Sequence, residues 1–528
     1  MNVVKYLTAL FGSTKRMTSI VIALMSLSLF IFIDAFNESF VFDEAYTMAM
    51  IQHSFTDIWN ITATDVHPPL YYFMLKIFTE IFGDNLLTLR IFSALGVLAV
   101  FLTAMFPIRK HFGAGVSLLF IIIISLLPVS QYLASEIRMY SWSMFFTLAN
   151  ALAAYQVYKN NNVFNNILLL ISALCASYTH YYSLMGSATI FGFLLLLMIV
   201  TKKQITNLVI VILLFLIAYS FWLPELFYQI GAVNHNYWIT TLTPKDLLLF
   251  TYYLFSPKEP THPYMIFNLP TMSVALSIMI LLIAAIVIIT IREYKNLDKT
   301  KVITALIFIG LFIIPIISAI VISYAMKPIM IPRYMTCLLG CLVLGISILF
   351  FELYESGNPR SKALIFGSLF MLWVLSVARF FSEKQYMARC NKQYAELQNY
   401  FSDKNTEKTV FISPFSACGW LGMISVMYPS KENLFFVYSV QKTPVSYKPF
   451  NLIEVNKLPT DFDFHYTQAY DNNPIQTKGN QHFTNGVKND YIITDSLNQT
   501  LSDQRHEGRV IYQMRTIHRE RKNQKIAD

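Results

Sequence analysis

The chain has 528 residues, 55% of them hydrophobic and only 13% charged, with a net charge of +9 and a mean hydropathy of +0.49. Soluble domains carry roughly 25% charge, so an ordinary soluble protein is excluded. The positive balance does not indicate nucleic acid, because no basic stripe or nucleic-acid motif accompanies it.

Apolar runs recur from Met17 to Phe380 and stop there. A bilayer core needs about 20 apolar residues per helix. The pattern predicts eleven spans, near 17–36, 86–107, 114–131, 140–158, 163–180, 183–200, 205–223, 271–291, 302–325, 333–351 and 362–380. The expected fold class is mainly α: a polytopic transmembrane bundle over 1–380, followed by a small extracytoplasmic α/β domain over 381–528. The first run is too long for a removed signal peptide and lacks a small-residue cleavage site, so it reads as a retained anchor.

Lys and Arg set the orientation. Of the 22 basic residues before position 381, 14 crowd into one set of short loops, at positions such as Arg109, Lys110, Lys202, Lys203, Arg292 and Arg360. These loops are expected to be cytoplasmic. The N-terminus then lies inside, and an odd span count places 381–528 outside. Of the 16 Asp and Glu before position 381, 12 fall on the outer side, which is where any chemistry is expected.

The first outer loop, about 37–85, is long for a connection between neighbouring spans. It opens with Phe42-Asp43-Glu44-Ala45-Tyr46. Two adjacent carboxylates at a membrane boundary suit a general base or a metal ligand. On the pair alone the simpler reading is a solvated cap, with Asp43 starting a short helix through Met50. The loop continues with Asp65-Val66-His67-Pro68-Pro69-Leu70-Tyr71-Tyr72. The prolines fix the backbone, and Pro69 suits the first turn of a helix that leaves His67 at its N-terminal side. Such a place attracts anions; a rigid turn with an interfacial tyrosine is compatible with it.

Further along come Tyr132-Leu133-Ala134-Ser135-Glu136-Ile137-Arg138-Met139-Tyr140, then Thr179-His180-Tyr181-Tyr182, and Lys327-Pro328 through Pro332-Arg333-Tyr334. Arg138 and Arg333 suit bidentate pairing with phosphate. Singly each cluster reads as an interfacial anchor, but all share the outer side. The second large outer loop, about 224–270, holds His235, Tyr237, Trp238 and His262; two histidines without helical spacing are a weak metal signal.

In the tail, Tyr394–Phe401 and Trp420–Tyr428 read as helices, and Val410–Ser413, Leu434–Tyr438, Asp490–Thr494 and Val510–Met514 as strands. Cys390 and Cys418 share this domain, where a disulfide between them is a candidate.

The motifs Asp43-Glu44, His67-Pro68-Pro69-Leu70-Tyr71-Tyr72, Arg90, Glu136-Ile137-Arg138-Met139-Tyr140 and Arg333-Tyr334, in this order and sidedness, resemble those of the C-type membrane glycosyltransferases. The likeness is to the branch of protein O-mannosyltransferases and the lipid A aminoarabinose transferase. It covers 20–200 well and 200–380 loosely. The resemblance implies transfer of a sugar from a polyprenyl-phosphate carrier to a lipid, glycan or protein acceptor on the outer face of a bacterial inner membrane. It implies an inverting displacement without a metal, although other branches use a divalent cation. By the same resemblance Asp43 is the candidate base and Glu44 its support. His67, Arg138 and Arg333 would hold the phosphate, and Tyr71, Tyr140 and Tyr334 would line the head group. Aminoarabinose transferases carry Lys where this chain has His67, a weaker phosphate partner when neutral. The His form is closer to the broad bacterial group related to protein mannosyltransferases. A non-catalytic binder of lipid-linked sugar is the alternative, and a transporter a further one; the clustering of ionisable residues at one face argues against the transporter.

Overall fold

The computed structural model describes residues 37–232, 239, 241–255 and 269–402, and beyond them the segments 410–414, 418–427, 434–438, 449–455, 464–468, 491–500 and 513–521. The expected first span, the second-loop residues His235, Tyr237, Trp238 and His262, and the side chains of Cys390 and Cys418 lie outside the described residues. Cys175, Cys337 and Cys341 are free thiols. The chain divides into two compact units: Met1–Phe36, Val66–Pro260 and Ile266–Ser382 form the first, and Asn37–Asp65, Thr261–Met265 and Glu383–Asp528 the second.

The first unit is a helical bundle. Among the described residues, five of its helical stretches are long and apolar enough to cross a membrane: Leu86–Leu126, Tyr181–Val200, Lys299–Ala325, Pro332–Glu355 and Pro359–Phe381. The pair Thr206–Tyr219 and Leu223–Gly231, bent by 63°, makes a sixth. The chain is an integral membrane protein. Eleven spans were expected from the apolar runs; the first of them lies outside the described residues, and several of the others differ in form from one straight apolar helix. Leu86–Leu126 has 41 residues, about 60 Å of helix, roughly twice a bilayer core. It holds a π-helical turn at Ala104–Ile108 with Pro107 inside, and Gly113 breaks it at φ 89°, a backbone state that favours glycine. The helix Tyr140–Lys159 carries Ser141, Ser143, Thr147 and Asn150 on buried positions, which lowers its apolar character. Val163–Thr179 is apolar but only 17 residues long.

The packing is inside-out relative to a soluble protein. Ile199, Ile217, Ile303, Val321 and Phe370 are exposed, whereas hydroxyls face one another inside. Ser143 and Ser183 lie 2.5 Å apart, Thr147 donates to Ser183 at 2.8 Å, and Asn150 donates to Ser187 at 2.9 Å. These bonds tie Tyr140–Lys159 to Tyr181–Val200 in the way polar residues join helices in lipid. Caps set the ends: Asn85 accepts from the Thr88 amide at 3.0 Å, Asn162 from Asn165 at 2.8 Å, and Asp298 from Thr300 at 2.9 Å.

Lys299–Ala325 and Leu339–Glu355 pack closely. Lys301 pairs with Glu352 at 2.6 Å, and Gly345 lies against the backbone around Ala305 and Ile309. A methyl group at Gly345 would meet the Ala305 carbonyl oxygen at 2.6 Å.

The second unit holds a six-stranded sheet of order β3-β2-β1-β4-β6-β5. The strands are β1 (Val410–Pro414), β2 (Leu434–Tyr438), β3 (Ile453–Val455), β4 (Phe464–Gln468), β5 (Tyr491–Thr500) and β6 (Gln513–Arg521). β1 pairs in parallel with β2 and β4, and β2 in parallel with β3. The helix Cys418–Met427 provides the crossover that a parallel β1–β2 pair requires. β6 runs antiparallel to β4 and β5.

The sequence reading placed the whole first outer loop with the spans, but the structure groups Asn37–Asp65 with the chain beyond Glu383. Aromatic packing is the reason. Phe40 meets Tyr394 edge-on at 5.3 Å, and Phe42 and Tyr46 meet Phe450 at 5.7 and 6.2 Å. The His53 ring lies 3.0 Å from the Pro449 carbonyl.

Because a side chain at Gly345 would meet the backbone at Ala305 and Ile309 as well as the Ile309 side chain, Gly345→Val is expected to destabilise the bundle by about 1–3 kcal/mol. Thermal unfolding in detergent would show this as a lowered midpoint; an unchanged midpoint would contradict the close approach.

Candidate functional site

Chain breaks on four segments of the first unit supply its buried polar cluster. Pro68-Pro69 lead into the helix Leu70–Phe82, and Pro69 takes the N-cap position. This leaves His67 just ahead of the helix and buries Tyr71 and Tyr72. The helix ends at Gly83, where φ is 87°. The second segment follows the helix Pro128–Ser135: Glu136 is extended, and the Arg138 amide bonds the Glu136 carbonyl at 2.7 Å, a tight turn ahead of Tyr140. The third is a single residue, His180, between Val163–Thr179 and Tyr181–Val200. The fourth is the 3-10 turn Pro332–Leu338, which carries Arg333 and Tyr334.

His180 lies at the centre. Its ring is 4.9 Å from Tyr334, 5.3 Å from His67, 5.6 Å from Tyr140 and 5.9 Å from Tyr182. His67 also meets Tyr334 at 5.9 Å, nearly edge-on. The Arg333 guanidinium stands 5.8 Å from the Tyr140 ring centre and 6.0 Å from that of Tyr334, a cation–π arrangement. Arg138 donates to the Tyr72 hydroxyl at 3.2 Å, and Tyr72 packs on Tyr71 at 5.6 Å. Arg90 donates to the Ser135 carbonyl at 2.7 Å, bracing the segment that presents Arg138. His67, Arg90, Glu136, Arg138, His180 and Arg333 are all at most 5% exposed.

Electrostatics follow from this burial. His180 lies in the link between two helices, outside both, and burial lowers its pKa to about 3, helped by the charges of Arg138 and Arg333. It is therefore neutral at physiological pH. Burial likewise raises the Tyr71 phenol above its ordinary range and keeps its proton in place. The guanidiniums of Arg138 and Arg333 in this buried cluster are groups that suit an anion.

Of the residues singled out in the sequence, the structure brings together His67, Arg138, Tyr140, Arg333 and Tyr334, with Tyr71 joined through Tyr72. Asp43 and Glu44 belong to the other unit. There Glu44 is the third residue of the helix Phe42–Met50, and its carboxylate accepts from the Val41 amide at 3.0 Å. Tyr46 donates to Asp65 at 2.8 Å in the same unit. Asp43 is half-buried in the first turn of that helix. The short helix through Met50 thus forms, with Glu44 rather than Asp43 closing its start. Sequence reasoning gave His180, Tyr182 and Tyr72 no role. A histidine in a helix-to-helix link, followed at once by two tyrosines and on the side of the other motifs, was the available signal. Among the described residues no group of three or more His, Cys, Asp or Glu is placed to hold a metal.

No family model and no curated protein sequence matches the chain. Solved structures do. ArnT from Cupriavidus metallidurans in its apo state superposes with a TM-score of 0.54 at 11% identity, covering 94% of this chain and 97% of ArnT. The fold resembles that of ArnT. The same protein bound to undecaprenyl phosphate gives 0.51 at 10% identity, over 95% and 97% of the two chains. The likeness therefore spans both units and supports the C-type glycosyltransferase fold that the motifs imply.

A neutral His180 has a pH consequence. Its folded pKa lies below its unfolded value of about 6.5, so its contribution is complete above that value and declines as pH falls. Between pH 6.5 and 5 the loss is about 2 kcal/mol, at 1.4 per pH unit. The midpoint of thermal unfolding should fall over this range, and His180→Asn should flatten the slope. An equal slope in both proteins would contradict a neutral His180.

Proposed function

We propose that the protein is an inverting glycosyltransferase that moves a sugar from a polyprenyl-phosphate carrier to a lipid, glycan or protein acceptor. The carrying observation is the cluster of Arg138, Arg333, His67 and tyrosines around His180. The ArnT fold supports it, and one ArnT structure holds undecaprenyl phosphate. In this reading the chain keeps eleven spans with the N-terminus inside, and the carboxylates and the sheet unit work at the outer face of a bacterial inner membrane.

The step would be a displacement at the anomeric carbon. An acceptor hydroxyl or amine attacks from one side while the bond from that carbon to the phosphate oxygen breaks on the other. The leaving polyprenyl phosphate carries away the electron pair. Arg138 and Arg333 stabilise the charge that grows on it, an interaction stronger in the transition state than before it. His67, Tyr140 and Tyr334 shape the site around the donor head, and the apolar faces of the helices offer a path for the isoprenoid tail. Asp43 takes the acceptor proton. Glu44, used in capping its own helix, would hold that helix rather than the proton.

The test is sugar transfer by the purified protein in nanodiscs, with a panel of polyprenyl-phosphate sugars and a membrane extract as acceptor. A general base contributes about 10²–10⁴ in rate, so Asp43→Asn should reduce transfer by at least about 100-fold. Transfer that survives in Asp43→Asn removes Asp43 from the mechanism. Donor binding without transfer by wild type would instead favour a lipid-linked-sugar binding protein.

Arg138→Ala and Arg333→Ala should each lower kcat/KM for every donor in the panel, because both act on the phosphate and not on the sugar. A loss confined to one sugar would place the affected arginine at the sugar instead.

A further inference from the structure

His180 makes two different demands with its two ring nitrogens. Nδ1 accepts the Tyr182 backbone amide at 3.1 Å. That bond fixes the neutral tautomer, so the proton sits on Nε2. Nε2 is buried and has no hydrogen-bond partner among the described residues. A buried N–H without an acceptor is costly, and folds retain few of them. The cost has an explanation if the acceptor arrives with a ligand. The surroundings narrow its chemistry: Arg138 and Arg333 both act electrostatically on this imidazole, and the rings of His67, Tyr140, Tyr182 and Tyr334 enclose it.

We propose that the His180 Nε2–H donates a hydrogen bond to a phosphate oxygen of the bound ligand, within the same buried cluster as Arg138 and Arg333. This rests on the reading of the cluster as a phosphate site. As an uncharged donor it orients the anion without adding a third full positive charge, which would hold the departing phosphate too tightly. The double use of the ring also couples the site to the fold. The atom that caps the helix Tyr181–Val200 and the atom that meets the ligand are held in one rigid plane, so the aim of Nε2 is set by the helix itself.

The two nitrogens can be separated by substitution. In His180→Asn the amide oxygen can take the place of Nδ1 and keep the cap, but nothing reaches the Nε2 position. In His180→Gln the amide N–H can reach the Nε2 position, and the cap acceptor is lost. Full-length protein in nanodiscs is titrated with radiolabelled undecaprenyl phosphate, with unphosphorylated polyprenol and with inorganic phosphate as competitor. His180→Asn should weaken undecaprenyl phosphate binding about tenfold or more while largely keeping the unfolding midpoint. His180→Gln should lower the midpoint yet retain more of the binding. Polyprenol should bind equally to all three. If the source is a lipid headgroup, inorganic phosphate competes poorly; if it is free phosphate, inorganic phosphate competes well and is weakened by His180→Asn to the same degree. Either result supports the donor role.

Undecaprenyl phosphate binding by His180→Asn equal to wild type overturns it, and means that Nε2–H faces only the Tyr334 ring. In wild-type protein labelled with ¹⁵N-histidine, the Nε2–H proton resonance should move downfield when undecaprenyl phosphate is added. No shift overturns the proposal even if neither variant folds. The outcome is independent of the transfer assay. Phosphate binding through His180 without sugar transfer would remove the enzyme reading alone, and transfer with unchanged binding in His180→Asn would remove this one alone.

Discussion

Three buried guanidiniums, those of Arg90, Arg138 and Arg333, and one buried neutral imidazole are the constraint on which the bundle's organisation depends. Charge inside a lipid-facing protein is expensive and is kept only where something compensates it. Separate places contribute to this compensation: a tyrosine hydroxyl at Arg138, a backbone carbonyl at Arg90, aromatic faces at Arg333. His67, Arg138, His180 and Arg333 each arrive from their own chain segment, and each of those segments is interrupted where it delivers its residue. Pro68-Pro69, the turn at Glu136–Arg138, the single-residue link at His180 and the 3-10 turn at Pro332 are those interruptions. A regular helix would present its side chains sideways to its neighbours; an interrupted one can present them end-on to a shared point.

The rest of the bundle keeps those ends in register. Serine, threonine and asparagine side chains tie Tyr140–Lys159 to Tyr181–Val200 directly below Tyr140 and His180 in sequence. Lys301–Glu352 and the tight contact at Gly345 do the same for the helix that follows Arg333 and Tyr334. Gly186 plays a similar part: a methyl there would meet Leu338, at the end of the 3-10 turn, at 2.7 Å. These contacts remove sliding freedom between helices whose outward faces are smooth and apolar.

Much of this was legible in the residues. The apolar runs mark the helices because their length and composition must match the membrane, and prolines mark the breaks because proline lacks an N–H. The clustered residues His67, Arg138, Tyr140, Arg333 and Tyr334 stood out in the sequence because charged and aromatic residues are unusual beside such runs. The importance of His180 was not. A histidine in a link has many ordinary uses, and only the geometry shows one nitrogen engaged by Tyr182 and the other enclosed by rings. The polar content of Tyr140–Lys159 was equally hidden, because it is set by which helix it faces and not by the helix itself. The grouping of Asn37–Asp65 with the sheet unit rests on Phe40, Phe42 and Tyr46 finding Tyr394 and Phe450 some 350 to 400 positions later, beyond the reach of any local pattern.

That grouping has an evolutionary side. Asp43 and Glu44 are carried by a unit with its own aromatic core and its own sheet, whereas the guanidiniums belong to the helical bundle. Changes within separately packed units tend to add rather than interfere. Lineages could therefore remodel the sheet and the short helix that bears the carboxylates while leaving the packed cluster of arginines, histidines and tyrosines unaltered. Diversification of one unit would proceed without repacking the other.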